Sequence, residues 1–133
     1  MPQRSVLQAG PWRVVLLDSI TQVRAEDAGC VAVSGSHGGD TAASFAAAVP
    51  LALAVFNDAG VGKDQAGIAG LALLQAAGRA AATVGHDSAR IGEAADSWAN
   101  GVVSRVNAGA ARLGLRAGQR LCQVLPSLSP PPA

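Results

Sequence analysis

Four continuous apolar runs, each followed by a polar stretch, dominate the hydrophobic pattern of the chain. They cover residues 13–17, 30–33, 51–56 and 80–84. Unbroken apolar runs of this length are typical of strands buried on both faces, as in a parallel sheet. Residues 119–125 form a weaker apolar run, which predicts a last edge strand.

The segments between these strands carry helical signals. One helix is predicted over residues 40–48, with Asp40 or Thr41 as its N-cap. A second helix is predicted over residues 65–77, with Asp64 as its cap.

A third and longest helix is predicted from position 96 or 97 to about position 114. Apolar residues recur there at spacings of three and four, as on one face of a helix. They are Trp98, Val102, Val106, Ala110 and Leu113.

Strands that alternate with helices predict an α/β fold. We expect a small, open, mostly parallel sheet of four or five strands with helices on both faces, Rossmann- or flavodoxin-like. Residues 13–125 would form the single domain, after an N-terminal leader (residues 1–12) and before a disordered proline-rich tail (residues 126–133).

The link between the first two strands is short for this fold. About twelve residues separate them, which is the lower limit for a parallel crossover. Either the first strand is an edge strand, or the connection is a single helical turn.

Composition and charge limit the kinds of partner that the protein is expected to bind. The net charge is +1 with 14% charged and 3% aromatic residues, so neither a basic surface nor stacking platforms for nucleic acid are expected. Sparse charge and many apolar residues favour a homo-oligomer.

The expected location is cytoplasmic. No apolar run approaches the ~20 residues of a membrane span, and residues 1–11 lack a signal-peptide core. Cys30 and Cys122 lack metal-ligand spacing, which predicts two buried, reduced thiols.

Three polar loops follow the second, third and fourth predicted strands, at residues 34–40, 57–64 and 85–90. They contain both histidines and the only lysine. Ligands bind at the carboxyl ends of strands in open α/β sheets, so the loops predict a shared site. The candidate catalytic residues are Ser36, His37, Asp58, Lys63 and His86. The candidate ligand-binding residues are Ser34, Gly35, Gly38, Gly39, Asn57, Gly60, Gly62, Asp64, Ser88 and Arg90.

The chemistry of these loops favours an anionic ligand. Glycines in the SGSHGG stretch let backbone N–H groups approach an anion beside a helix N-terminus. Lys63 stands out because the other basic side chains are nine arginines, and an ammonium offers a tunable pKa. The GVGK stretch lacks P-loop spacing, which argues against a nucleoside triphosphate.

The segment over residues 31–46 resembles the nucleophile elbow of α/β-hydrolases, which reads G-x-S-x-G between a strand and a helix. Ser34 stands where that motif has its first glycine. The resemblance implies Ser36 as nucleophile, with Asp58 or Asp64 and then His86 following as acid and base.

Three functions compete on this basis. The first is an enzyme that uses acid–base chemistry on a small anionic metabolite, as an isomerase, lyase or hydrolase without a cofactor. The second is a non-catalytic module that senses a metabolite through the same loops. The third is a serine hydrolase that uses Ser36. Metal ligation by the loop carboxylates and histidines is not predicted, because no fixed ligand spacing occurs.

Overall fold

The computed structural model describes residues 3–129, whose centre is a six-stranded mixed sheet with its strands in chain order. The central strands β2 to β5 are parallel, and the edge strands β1 and β6 run antiparallel to their neighbours. The strands are β1 (Arg4–Ala9), β2 (Trp12–Leu17), β3 (Val31–His37), β4 (Leu53–Asn57), β5 (Ala81–Val84) and β6 (Val103–Val106).

Helices cover both faces of this sheet. Helices α1 and α2 pack on one face, and α3, α4 and α5 pack on the other. The helices are α1 (Asp40–Ala47), α2 (Gly70–Ala76), α3 (Ala94–Asn100), α4 (Ala108–Leu113) and α5 (Leu121–Val124).

Alternate residues along the central strands enter two separate cores. On β2, Val15 packs in the core under α1 and α2, whereas Val14 packs in the core under the other three helices. Both side chains are fully buried. Because both faces are covered, the inner residues of these strands are mostly apolar whichever face they enter.

The predicted sheet is wrong in strand number, direction and family likeness. The structure has six strands in mixed orientation rather than four or five mostly parallel ones, and their order is not Rossmann- or flavodoxin-like. The first missed strand, β1, lies in the expected leader and forms a hairpin with β2 through Gly10 and Pro11. Arg4 fixes β1 through two hydrogen bonds to the buried carboxylate of Asp27, at 2.6 and 2.8 Å.

The second missed strand, β6, interrupts the long helix predicted beyond position 96. Gly101 ends α3, and the Asn107 side chain caps α4 by accepting from the backbone N–H of Ala110. Between them, Val103 and Val106 belong to an extended strand. The apolar spacing of four arose from a helix, a strand and a second helix in succession.

The predicted edge strand at residues 119–125 is also wrong, since this segment contains α5. The chain then continues across the sheet, where the Leu128 carbonyl accepts a hydrogen bond of 3.0 Å from the indole N–H of Trp12. Residues 126–129 of the expected tail are therefore at least partly packed, and residues 130–133 lie outside the described part of the chain.

The short link between β2 and β3 consists of two 3₁₀ turns, Ile20–Gln22 and Ala25–Asp27. Strand β2 is not an edge strand, because β1 pairs with it on one side and β3 on the other. Cys30 is buried and Cys122 is only partly buried, and both are free thiols. Among residues 3–129, no helix has the length and apolar character required to cross a membrane.

Candidate functional site

The three candidate loops lie at one edge of the sheet, where the parallel strands β3, β4 and β5 end. His37 is the last residue of β3, Asp58 directly follows β4, and His86 lies two residues beyond β5. His37 pairs with Asn57, and Asn57 pairs with Val84 across the sheet. Both histidines therefore lie at the same edge, as predicted.

The connections that leave β4 and β5 diverge, and we call the region between them at the strand ends the crevice. The connection from β4 leads to α2 on one face of the sheet, and that from β5 leads to α3 on the other face. Adjacent connections that diverge in this way leave room at the ends of their strands, which is where ligands bind in open α/β sheets. Asp58 and His86 stand at the two sides of this crevice.

Asp58 and His86 form a pair across it. The Nδ1 atom of His86 lies 3.4 Å from Oδ1 of Asp58. The carboxylate is almost buried, with 8% of its side chain exposed, whereas 60% of the imidazole is exposed. The pair thus consists of an exposed imidazole and an almost buried carboxylate.

The protein holds Asp58 in its ionised form. Burial raises the pKa of this carboxyl, but hydrogen bonds from the backbone N–H of Gly60, from Ser104 and from the backbone N–H of His86 lower it more. The two N–H groups donate to Oδ1 at 2.8 and 3.0 Å. The net result is a lowered pKa, so Asp58 is a carboxylate at neutral pH.

The chain after Asp58 has an unusual backbone conformation. Ala59, Gly60, Val61 and Gly62 all have positive φ values, from 52° to 73°, a region that non-glycine residues adopt only at a cost. The His86 ring lies against Gly60, because a Cβ there would come within 3.6 Å of three ring atoms.

Lys63 and Asp64 follow in the same loop, and both are exposed. Neither forms an ion pair with another described residue. Asp64 does not cap α2, which begins six residues later at Gly70 without a side-chain cap. Lys63 is thus an exposed cation of the loop after β4, and no ion pair joins it to Asp58 in the described part of the chain.

A hollow of about 220 Å³ adjoins His86. It lies within the loop that follows β5 and is lined by Asp87, Ser88, Arg90 and Asp96 as well as His86. The Arg90 side chain is 82% exposed, and its nearest carboxylate partner lies 4.0 Å away. The Ser88 hydroxyl donates to the Gly85 carbonyl at 2.7 Å, so Ser88 stabilises the turn, whereas the Arg90 side chain is exposed and only loosely paired with Glu93.

His37 and Ser36 face a different hollow, of about 160 Å³, between the first 3₁₀ turn and α1. Its other walls include Ile20, Thr41 and Phe45. The Ser36 hydroxyl accepts a hydrogen bond of 3.0 Å from the backbone N–H of Ile20. The structure therefore separates His37 from His86, although both lie at the same sheet edge.

The elbow-like segment does not form an elbow at Ser36. Ser36 lies within β3 and its φ is not positive, whereas the elbow serine sits on a strained turn between strand and helix. Strand β4 separates β3 from β5, so two strand spacings, about 10 Å in all, lie between Ser36 and the start of the His86 loop. Ser36, Asp58 and His86 are not assembled as a triad.

Several candidate ligand-binding residues instead fix the loop of residues 85–93 across the strand ends. The Asn57 amide donates to the Ala89 carbonyl at 2.9 Å, and the Gly35 carbonyl accepts from the Gly92 N–H at 2.7 Å. A Cβ at Gly35 would lie 2.5 Å from the Gly92 carbonyl carbon. These glycine and amide positions serve close packing.

The remaining candidates of the first loop are also occupied by the protein. Ser34 is fully buried, and its hydroxyl accepts from the Ser36 N–H at 3.2 Å. The Gly38 N–H donates to the Asn57 carbonyl at 3.0 Å, and Gly39, rather than Asp40, is the N-cap of α1. The SGSHGG stretch is thus mostly strand and tight turn.

Sequence reasoning missed Ser104 and Asp18. Ser104 lies on the unpredicted strand β6, lowers the pKa of Asp58 and forms a hydrogen bond of 2.9 Å with the Thr83 hydroxyl. Asp18 accepts from the backbone N–H of Ala94 at 3.0 Å and so anchors the far end of the loop after β5. Asp18 could have been found, since it directly follows the first apolar run.

Within residues 3–129, no three side chains of His, Cys, Asp or Glu come together as they would around a metal ion. No protein-family model, curated protein or solved structure matches this chain.

Proposed function

We propose that the chain is an enzyme that performs acid–base chemistry on a small anionic metabolite at the crevice between β4 and β5. The observation that carries the proposal is the exposed His86 imidazole, whose Nδ1 lies 3.4 Å from the buried carboxylate of Asp58. An imidazole titrates near neutral pH and is therefore suited to both giving and taking a proton.

The two residues have different roles in this proposal. In this proposal the ionised Asp58 accepts a hydrogen bond from the Nδ1–H group of His86, fixes the ring orientation and stabilises the imidazolium when it forms. The opposite ring nitrogen, Nε2, then exchanges a proton with the substrate. Asp58 is itself a positioning residue, since only 8% of its side chain is exposed. Isomerisation, elimination and hydrolysis can each proceed by such a proton transfer.

Arg90 supports the anionic character of the substrate. Its guanidinium is 82% exposed and lines the same hollow as His86, and a guanidinium matches the geometry of a carboxylate or phosphate. Lys63 supplies a second exposed cation from the loop after β4. The carboxylates of Asp87 and Asp96 in the hollow favour a substrate that also carries a hydrogen-bond donor.

His37 is the matched comparison for His86. Both are exposed histidines at the carboxyl edge of the sheet. Within the described residues, only His86 lies within 4.0 Å of a carboxylate. A function based on the pair therefore predicts that the two rings differ in tautomer and in their importance for turnover.

The first test is the tautomer of each neutral ring, measured by nitrogen-15 NMR. We expect the Nδ1–H form for His86 and the ordinary Nε2–H form for His37. Asp58→Asn should return His86 to the Nε2–H form and leave His37 unchanged. The Nε2–H form for His86 in the wild type would contradict the pairing.

The second test is turnover of small keto-, hydroxy- and unsaturated carboxylates, followed by proton NMR in D₂O. Product formation or deuterium incorporation should disappear in His86→Gln and persist in His37→Gln. Loss of the positioning carboxylate in Asp58→Asn should lower kcat by about 10²-fold or more, within the usual contribution of acid–base catalysis. Binding at His86 without turnover would instead favour the non-catalytic sensor.

Two sequence predictions extend this proposal. We propose self-association, because Val6 and Ile91 are large apolar side chains that are 47% and 54% exposed. A monomer mass by light scattering at micromolar concentration would reject it. A cytoplasmic location stays a prediction.

A further inference from the structure

A hollow of about 400 Å³ lies at the opposite edge of the sheet, where β4 and β5 begin. It is larger than either hollow at the carboxyl edge. Its walls combine two arginines with apolar side chains: Arg79 and Arg112 line it together with Leu51, Ala52 and Leu113. It is therefore both cationic and apolar.

Neither arginine is neutralised by a neighbour. In the described part of the chain, no carboxylate lies within 4.0 Å of Arg79 or Arg112. The sequence provides the reason, since residues 65–86 and 97–133 contain no Asp or Glu. These two segments thus contribute positively charged side chains to the hollow and no negatively charged ones.

Arg79 also holds a hydrogen-bond donor without a partner. Its Nε atom is buried and has no acceptor among residues 3–129, and a buried donor without an acceptor is costly. The backbone of Arg79 is fixed, because its N–H donates to the Leu74 carbonyl at 2.8 Å and its carbonyl accepts from the Asn107 amide at 2.9 Å. The backbone from which this donor extends is therefore held in place.

We propose that this hollow is a second binding site, for a small organic anion with an apolar body. The acidic group lies between Arg79 and Arg112 and accepts from their N–H groups. The apolar part lies on Leu51, Ala52 and Leu113. This site and the crevice lie at opposite ends of β4 and β5, so a ligand in one does not touch a ligand in the other.

The test is titration with hexanoate, which carries both features of the ligand, followed by amide NMR and calorimetry on the full chain. Hexanol supplies the apolar body without charge, and inorganic phosphate supplies the charge without the body. We expect hexanoate to bind at least about tenfold more tightly than either, since a charge-assisted hydrogen bond contributes about 1.5–3 kcal/mol. The shifted amides should be those near Ala52, Arg79 and Leu113.

The variant Arg112→Gln should weaken hexanoate binding by about tenfold or more, as expected for the loss of a charged donor. Arg116→Gln is the matched control, because it removes the same charge four positions along the chain from a residue outside the hollow, and it should bind as the wild type does. His86→Gln should also bind normally, which separates this site from the proposed acid–base function. Equal weakening by Arg116→Gln, equal affinity for hexanol, or shifts confined to the His86 loop would overturn the proposal.

Discussion

The carboxylate of Asp58 should stabilise the fold as well as position His86, and Asp58→Asn tests this. Asparagine keeps the side-chain shape and one acceptor oxygen but removes the charge. In the wild type, Oδ1 accepts from two backbone N–H groups, those of Gly60 at 2.8 Å and His86 at 3.0 Å. The residue is 6% exposed, so water screens these bonds poorly.

The expected loss follows from these two bonds. A hydrogen bond to a charged group contributes about 1.5–3 kcal/mol, and charged bonds are roughly twice as strong as neutral ones. The lower end of this range, about 1.5 kcal/mol, applies to each bond because Gly60 and His86 are themselves exposed. The two bonds together contribute about 3 kcal/mol, and removal of the charge should roughly halve this contribution. The free energy of unfolding should then fall by about 1.5 kcal/mol, or roughly 5 °C in Tm for a chain of this length.

Urea unfolding at pH 7, followed by circular dichroism, measures this loss. Asp64→Asn is the matched control, since it makes the same chemical change at an exposed carboxylate of the same loop that forms no ion pair with a described residue. We expect Asp64→Asn to change the stability by less than about 0.5 kcal/mol. Equal effects of the two substitutions would refute the assigned role of Asp58.

The loss should also depend on pH. The folded pKa of Asp58 is lowered from the ordinary aspartate value, so its charge stabilises the protein above that ordinary value and loses this effect as the pH falls through the folded pKa. The stability difference between wild type and Asp58→Asn should therefore be complete at neutral pH and vanish in strong acid. A difference that is independent of pH would show that the charge is not its origin.

Three other substitutions test the packing. Arg4→Ala should cost about 3 kcal/mol in urea unfolding, because it leaves the fully buried carboxylate of Asp27 without its cation; a loss below about 0.5 kcal/mol, as at an exposed pair, would contradict this. Gly35→Ala should lower stability by about 1–3 kcal/mol and shift the amide resonances of residues 92 and 93, since its Cβ would meet their backbone at 2.5–2.6 Å; unchanged resonances would contradict it. Ser97→Ala should raise stability by about 1 kcal/mol, because the Ser97 hydroxyl is buried without a partner among the described residues; a lower Tm would show that the hydroxyl is bonded.

The central strands could be predicted because their environment is uniform. Strands β2 to β5 are covered on both faces, so an unbroken apolar run marks each of them. Helix α1 was also predicted within a residue of its observed bounds, Asp40–Ala47. Local sequence was sufficient where packing and propensity favoured the same structure.

The edge strands could not be predicted in the same way. Strand β1 is mostly exposed, and its signal was the hairpin turn at Gly10 rather than its own composition. Strand β6 has four residues, and the apolar positions around it coincided with a helical repeat. Gly101 and Asn107 marked its ends, but the three- and four-residue spacing is equally compatible with one continuous helix.

The candidate site was predicted as a set of residues, but the partners within it depend on topology. Asp58 and His86 meet because β4 and β5 are neighbouring parallel strands, whose connections then enter opposite faces of the sheet. The connection after β5 leads to the face on which α3 packs against β2 and β3. No local sequence pattern encodes this position of α3. His37 ends a strand at the same edge of the sheet, yet lies beside Phe45 in a separate hollow.

The residues that hold the loop after β5 in place also bear on the proposed proton transfer. Asp18, Gly35 and Asn57 follow or lie in three different strands, and each holds one point of the loop that carries His86 and Arg90. A catalytic side chain must be kept within a fraction of an ångström of its working position. A flexible loop of polar residues would not do this, whereas a loop fixed along the ends of β2, β3 and β4 does. The glycines and amides at this edge therefore serve the proposed proton transfer indirectly, by making the His86 loop rigid.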